Sequence, residues 1–190
     1  MERPALLIID MVKDNFRQSE NLPITQLGRQ IIAPINDLIR VFRRQGWPIA
    51  FPTDAFHKED FIFKGLMNPH SLAETEGAEV IDELDRRDED LWLQKPRFSA
   101  FFNTTLEQWL REKRVTLCAV AGITTNFCVL TTVLDAICYG FKAILLEDCS
   151  AASSITIHKS TLSIYRRNPL YPLLQIASSS ELLTYLRKNS

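Results

Sequence analysis

The chain has 190 residues, 46% of them hydrophobic and 24% charged, and a formal net charge of -1. That is the make-up of an ordinary globular protein with one sizeable core, and it argues for a single domain over residues 1–190. No Lys/Arg block stands out, which argues against a nucleic-acid partner. No run reaches about 18 consecutive apolar residues, so a membrane partner is not expected either.

Short apolar runs alternate with longer amphipathic ones, the rhythm of β-α-β units around a parallel sheet. ALLIID (5–10) reads as a buried strand by its unbroken apolar character, and it follows the N-terminus without a leader's apolar core or cleavage site. A cytoplasmic protein is expected. TQLGRQIIAPINDLIRVFRRQG places Leu27, Ile31, Ile35, Leu38 and Phe42 three and four apart, a helix with one apolar face that Gly46 closes. WPIAFPTD (47–54) is the next strand, although two prolines sit badly in one. Residues 54–77, DAFHKEDFIFKGLMNPHSLAETEG, carry little periodicity, and loops of that length in compact domains are usually functional.

DLWLQK (90–95) is a short mixed strand, followed by TTLEQWLREKR (104–114), a helix with a hydroxyl cap. TLCAVAGI (116–123) and KAILLEDC (142–149) are the clearest strands, and NFCVLTTVLDAICYG (126–140) between them reads as a capped helix ending on Gly140. HKSTLSIYRRN (158–168) is a further helix, LLQIASSS (173–180) a sixth strand, and ELLTYLRKN a C-terminal helix. The four cysteines, at 118, 128, 138 and 149, have neither CxxC nor zinc-knuckle spacing and are expected as reduced thiols.

Three strands end in polar chemistry: Asp10 closes the first, Lys95 the third, and the fourth runs through GITTNFC to Cys128. Ligands of open α/β sheets sit beyond the carboxyl ends of the strands, so the three groups share a rim. Each alone has an ordinary reading, as a turn-capping acid, a solvated lysine and a buried core thiol. Together they make a hydrolytic set. A thiol at a helix start beside a lysine is favoured as thiolate, and an acid can take its proton and return it to a leaving group. Backbone N–H groups of the turn, which Gly122 lets bend, would stabilise an oxyanion.

These residues, with the hydrophobic-IDM of the first strand, KPRFSAFFNTTL and GITTNFCVLTTVLDAICYGFKAILLEDCSAA, resemble the isochorismatase-like cysteine hydrolases. That superfamily holds nicotinamidases, N-carbamoylsarcosine amidohydrolases and ureidoacrylate amidohydrolases. The resemblance spans nearly the whole chain. It implies an α/β fold in three α-β-α layers, with a six-stranded, mainly parallel, Rossmann-like sheet, and assembly as a homo-oligomer. It places the catalytic residues at Asp10, Lys95 and Cys128, a cis peptide at Ile123-Thr124, and an oxyanion hole at the N–H groups of Thr124 and Cys128. Relatives that cleave isochorismate lack the cysteine, so its presence implies C–N hydrolysis of a small amide or ureide through a thioester, without a cofactor for the acyl chemistry.

Nicotinamidases in this superfamily also hold a divalent metal, zinc, manganese or iron, through a DxH pair and a later His. The matching residues are Asp54, His57 and His70, but DAFH sets His57 one residue late. The spacing tilts the reading toward a metal-poor site and an amide other than nicotinamide, while His70 keeps the metal open. Phe16, Phe98 and Phe102 are candidates for the pocket wall, and Phe61, Phe63 and Phe101 divide between wall and core. His158 is expected to be a packed, hydrogen-bonded histidine. Two other classes stay open: a thiol redox sensor, with Cys118 or Cys149 as resolving partner, and a non-catalytic ligand-binding relative.

Overall fold

The computed structural model describes residues 2–17 and 22–189. Among them, six strands form one parallel sheet in the order β3-β2-β1-β4-β5-β6: β1 Pro4–Ile9, β2 Ile49–Asp54, β3 Leu91–Lys95, β4 Leu117–Ile123, β5 Lys142–Ala151 and β6 Leu174–Ala177. The chain winds outward from β1 to β3, then returns to β4 on the other side of β1. The switch point therefore lies between β1 and β4, where α/β sheets open a crevice.

Alternation along β1 explains the layering. Leu6 and Ile8 point to one face, where they pack with Ile31, Ile35, Leu38 and Phe42 of α2 (Pro23–Arg44) and Leu182 and Leu186 of α6 (Ser179–Asn189). Ala5, Leu7 and Ile9 point to the other, against Leu106 and Leu110 of α3 (Leu106–Glu112), Val133 of α4 (Leu130–Cys138) and Leu162 of α5 (Ile155–Arg166). Because both faces are covered, β1 is buried at every residue, which is why its sequence is an unbroken apolar run. Each large aliphatic side chain so buried contributes about 1.5–3 kcal/mol.

Four local details depart from the expected elements. The proline of β2 is accommodated because the β1–β2 register runs only through Leu6↔Ile49 and Leu7↔Ala50, ending before Pro52 must donate. SSSE belongs to a helix, not to the end of β6. Ser178 Oγ accepts from the Glu181 N–H at 3.2 Å while Glu181 Oε2 accepts from the Ser178 N–H at 2.7 Å, a reciprocal capping box. Ser154 Oγ, accepting from the Ile157 N–H, starts α5 at Ile155, three residues earlier than expected. Finally, α1 (Lys13–Arg17) is a short helix with no sequence signal, and its Phe16 is buried against Gly28 of α2.

The long connection after β2 closes on itself. Phe56 bridges to Leu72, with Phe56 N–H donating to Ser71 O (3.0 Å) and Ala73 N–H to Phe56 O (2.8 Å), and Asp14 Oδ2 accepts from the Ser71 N–H at 2.7 Å. Its middle therefore hangs over the carboxyl end of the sheet near α1. No helix among the described residues is long and apolar enough to cross a membrane.

Candidate active site

Parallel register brings the polar strand ends together. Asp54 and Lys95 are paired residues on β2 and β3, so their side chains lie side by side. Asp10 follows β1 with a left-handed φ of 51°, held by Asn15 Nδ2 donating to its carbonyl at 3.0 Å and by its own N–H on Pro52 O. Its Oδ1 accepts from the Asp54 N–H at 2.7 Å, which aims Oδ2 at Lys95 Nζ, 2.9 Å away. The ammonium also donates to Asp54 Oδ1 and, at 3.1 Å, to Arg97 O. Lys95 is 0% exposed. Apart from this ion pair, Asp10 Oδ2 accepts no hydrogen bond among the described residues.

Cys128 reaches the same carboxylates from β4. Gly122, at φ +110°, is the only residue type that fits there, since a Cβ would collide with the Ile9 carbonyl of the neighbouring strand. The chain then passes a cis peptide at Ile123-Thr124 and a π-helical turn, Thr125–Val129, before α4 begins at Leu130. The expected hydroxyl cap is absent: neither the turn nor α4 has a side-chain cap bond. Such π turns are frequent at functional sites. One ligand atom from each of Asp10, Asp54 and Cys128 lies within 4.8 Å of the others.

Electrostatics correct one expectation. Cys128 is 7% exposed, and burial pushes its thiol well above the ordinary range; Lys95 opposes this, while Asp10 and Asp54 add to it. Burial thus works against the thiolate that a helix start and a lysine favour. Burial and the adjacent Asp10 carboxylate push Asp54 up to about 8 against the pull of Lys95. Burial also works against the Lys95 ammonium, but Asp10, Cys128 and Asp54 outweigh it and hold Lys95 charged.

Above this cluster lies a cavity of about 220 Å³, with Asp10, Asp54, Thr124 and Cys128 at its floor and Phe56, Phe98, Phe127 and His70 in its walls. Of the expected wall residues, Phe98 lines it, with its ring 5.8 Å from that of Phe127. Phe16 does not: it is a core residue under α2, with Arg29 over its ring. Phe102 is half exposed and lies outside the cavity lining. Phe61 is exposed, Phe101 is core, and Phe63 packs edge-on against Phe56 and His70. Sequence reasoning missed Asn15, Met67, Asn126, Phe127 and Ser153, all of them lining residues. A signal existed for Phe127, a large apolar side chain beside the nucleophile, in a turn that cannot bury it.

The expected metal set does not assemble. His57 is exposed, His70 is turned so that Nδ1 bonds Asn68 O at 2.9 Å, and Asp54 is committed to Lys95. Among the described residues the group that could hold a divalent ion is instead Asp10, Asp54 and Cys128. Its oxygens already face the Lys95 ammonium, so an ion there would compete with an internal cation. His158, as expected, is buried and hydrogen bonded, to Thr125. Cys149 packs in the layer of α2 and Cys118 is fully buried in the opposite one, while Cys138 is exposed.

Comparison with known proteins agrees with this arrangement. A sequence profile of the isochorismatase domain matches residues 4–171. An isochorismatase-like hydrolase from Alkaliphilus metalliredigens superposes with a TM-score of 0.85 at 26% identity, over 97% of this chain and 99% of that one. An N-carbamoylsarcosine amidase from Thermoplasma acidophilum gives 0.80 at 27% identity, over 94% and 97%. A nicotinamidase from Bacillus subtilis gives 0.77 at 30% identity, over 93% and 99%. With an acid, a buried lysine and a cysteine gathered at the switch point of such a sheet, the chain belongs to the isochorismatase family, as a cysteine hydrolase of small amides.

Proposed function

We propose that the protein hydrolyses the C–N bond of a small amide or ureide through a thioester on Cys128, releasing ammonia or an amine. The observation that carries this is the meeting of three strand ends, with the Asp10 carboxylate between the Lys95 ammonium and the Cys128 thiol. The substrate carbonyl enters the cavity and Sγ attacks it. As the S–C bond forms, the thiol proton passes to Asp10, which explains why a resting thiol is no obstacle. The N–H groups of Thr124 and Cys128 receive the oxyanion. Asp10 returns the proton to the leaving nitrogen, the C–N bond breaks, and ammonia or an amine departs.

Water then repeats the sequence on the thioester. It adds to the carbonyl while giving a proton to Asp10, the C–S bond breaks, and Asp10 returns that proton to sulfur as the acid leaves. Lys95 keeps its charge throughout and balances the negative charge as it moves from Asp10 to the reacting centre and back. Asp54 and the Arg97 carbonyl hold it in place. The apolar walls suit a flat or apolar acyl group. Nothing in this sequence of steps requires a cofactor. Cytoplasmic residence and homo-oligomeric assembly belong to the same reading.

A second reading, nicotinamide hydrolysis with a divalent ion, is favoured by His70 in the cavity wall and by the likeness to a nicotinamidase. The redox-sensor reading has less support, since it needs an accessible resolving thiol and Cys118 and Cys149 are both buried. The test is ammonia release across a panel of primary amides and ureides, with nicotinamide included, for the wild type and Cys128→Ala. Mass spectrometry of the rapidly quenched wild type should find an acyl group on Cys128. Turnover that survives Cys128→Ala would sink the proposal.

A further inference from the structure

Thr125 opens the π-helical turn that carries Cys128, and its side chain is fully buried and does not line the cavity. Its Oγ1 lies 2.8 Å from Nδ1 of His158, across 33 residues of sequence. His158 sits in the first turn of α5, where its N–H bonds Ser154 O at 3.0 Å and Ser154 Oγ caps the helix. The ring lies beside the backbone of Glu147 on β5, which works to raise its proton affinity. In the neutral tautomer that leaves Nδ1 unprotonated, this nitrogen accepts from the Thr125 hydroxyl. Burial, the largest influence on this ring, favours that neutral form.

We propose that His158 is a positioning residue for the catalytic turn, anchoring Thr125 so that the Cys128 thiol and the N–H groups of Thr124 and Cys128 stay aimed at one point. This rests on Cys128 being the nucleophile. Thr125 lies between Thr124 and Cys128, yet no side-chain cap bond secures the turn itself. Its tertiary tether is this bond to α5, which is in turn fixed to β5. Oriented groups need support of this kind, because a displacement of about 1 Å at a reacting centre can cost about 100-fold in rate.

Steady-state kinetics and amide hydrogen exchange on the same variants test this. His158→Ala and Thr125→Val should each lower kcat about 100-fold with KM changed less than about threefold, and the double variant should be no worse than either alone. His158→Asn, which puts an amide oxygen near the place of Nδ1, and Thr125→Ser should recover most of the loss. Exchange of the amides of residues 124–128 should quicken in His158→Ala and Thr125→Val, and recover in the conservative variants. Losses that multiply in the double variant, or unchanged kcat and unchanged exchange, would overturn the proposal. If the wild type hydrolyses no amide while exchange still responds as expected, the tether stands and the assigned activity fails.

Discussion

Lys95 and His57 stand at the same end of the sheet, one as the last residue of β3 and the other three residues after β2, yet only Lys95 reaches the site. Lys95 is still inside a parallel ladder, paired with Asp54, so the strand's period of two decides where its side chain goes. His57 has left the ladder, and nothing but the local path of the loop directs it. His70 falls between these cases: it is on the same loop, but Phe56 and Phe63 hold its ring at centroid distances of 5.6 and 5.9 Å, and it does line the cavity. Chemistry carried by a ladder is inherited from the fold, whereas chemistry carried by a loop has to be fixed residue by residue.

The largest expected effect tests whether the ladder residues act as one unit. Cys128→Ala, Asp10→Asn and Lys95→Ala should each lower kcat by about 10⁴-fold, and pairs of these changes should cost little more than the worst single one. Simple multiplication of the losses would break the comparison at its stronger end. Lys95→Ala should also destabilise the fold by about 3–5 kcal/mol in urea titrations, because it leaves the buried acid cluster of Asp10 and Asp54 without its cation. A loss below about 1 kcal/mol would mean that the pair contributes nothing to the fold.

At the loop, His70→Ala should raise KM about tenfold with little change in kcat, while His57→Ala and Phe102→Ala should change neither by more than about twofold. Phe127→Ala should behave as His70→Ala does, since it lines the same cavity. Metal analysis of protein never exposed to chelator sharpens this point. Near-stoichiometric zinc, manganese or iron that disappears in His70→Ala would show that loop and ladder share an ion, and would favour the nicotinamidase reading.

The last prediction is a pH slope. Asp54 binds its proton more tightly in the folded chain than in the unfolded one, being pushed up to about 8 by burial and Asp10. The folded state therefore carries an extra proton between the unfolded carboxylate value and about 8, so this group's contribution to stability is full at acid pH and declines as pH rises through that window. Asp54→Asn has no such proton to lose. Its stability relative to the wild type should improve from pH 5 to about pH 8 in urea titrations and then level off, and a constant difference would refute the assignment.

How legible was all this? The sheet was, because strands buried on both faces must be apolar at every position, and α2 was, because one buried face imposes spacings of three and four. Asp10, Lys95 and Cys128 stood out as polar residues where apolar runs stop. The start of α6 was written in Ser178 and Glu181 and was read as strand only because the apolar run before it drew attention. Phe16 is expected in the pocket wall and Phe127 has no expected role, yet the wall holds Phe127: their type is the same, and whether a phenylalanine is core or cavity wall depends on what packs over it, here Gly28 for one and an open cavity for the other.

The sequence by itself determined the α/β architecture, the order of its elements and the three residues offered at the strand ends, since local periodicity and the position of polar residues at the ends of apolar runs are properties of neighbours along the chain. Tertiary structure decided the rest. Whether Cys128 rests as thiol or thiolate follows from burial against two carboxylates, whether Asp54 serves a metal or a lysine follows from its register with Lys95, and the link between Thr125 and His158 exists only because α5 lies beside the turn. Each of these is a balance of charges and hydrogen bonds between residues far apart in sequence, and only distances in the folded chain can set it.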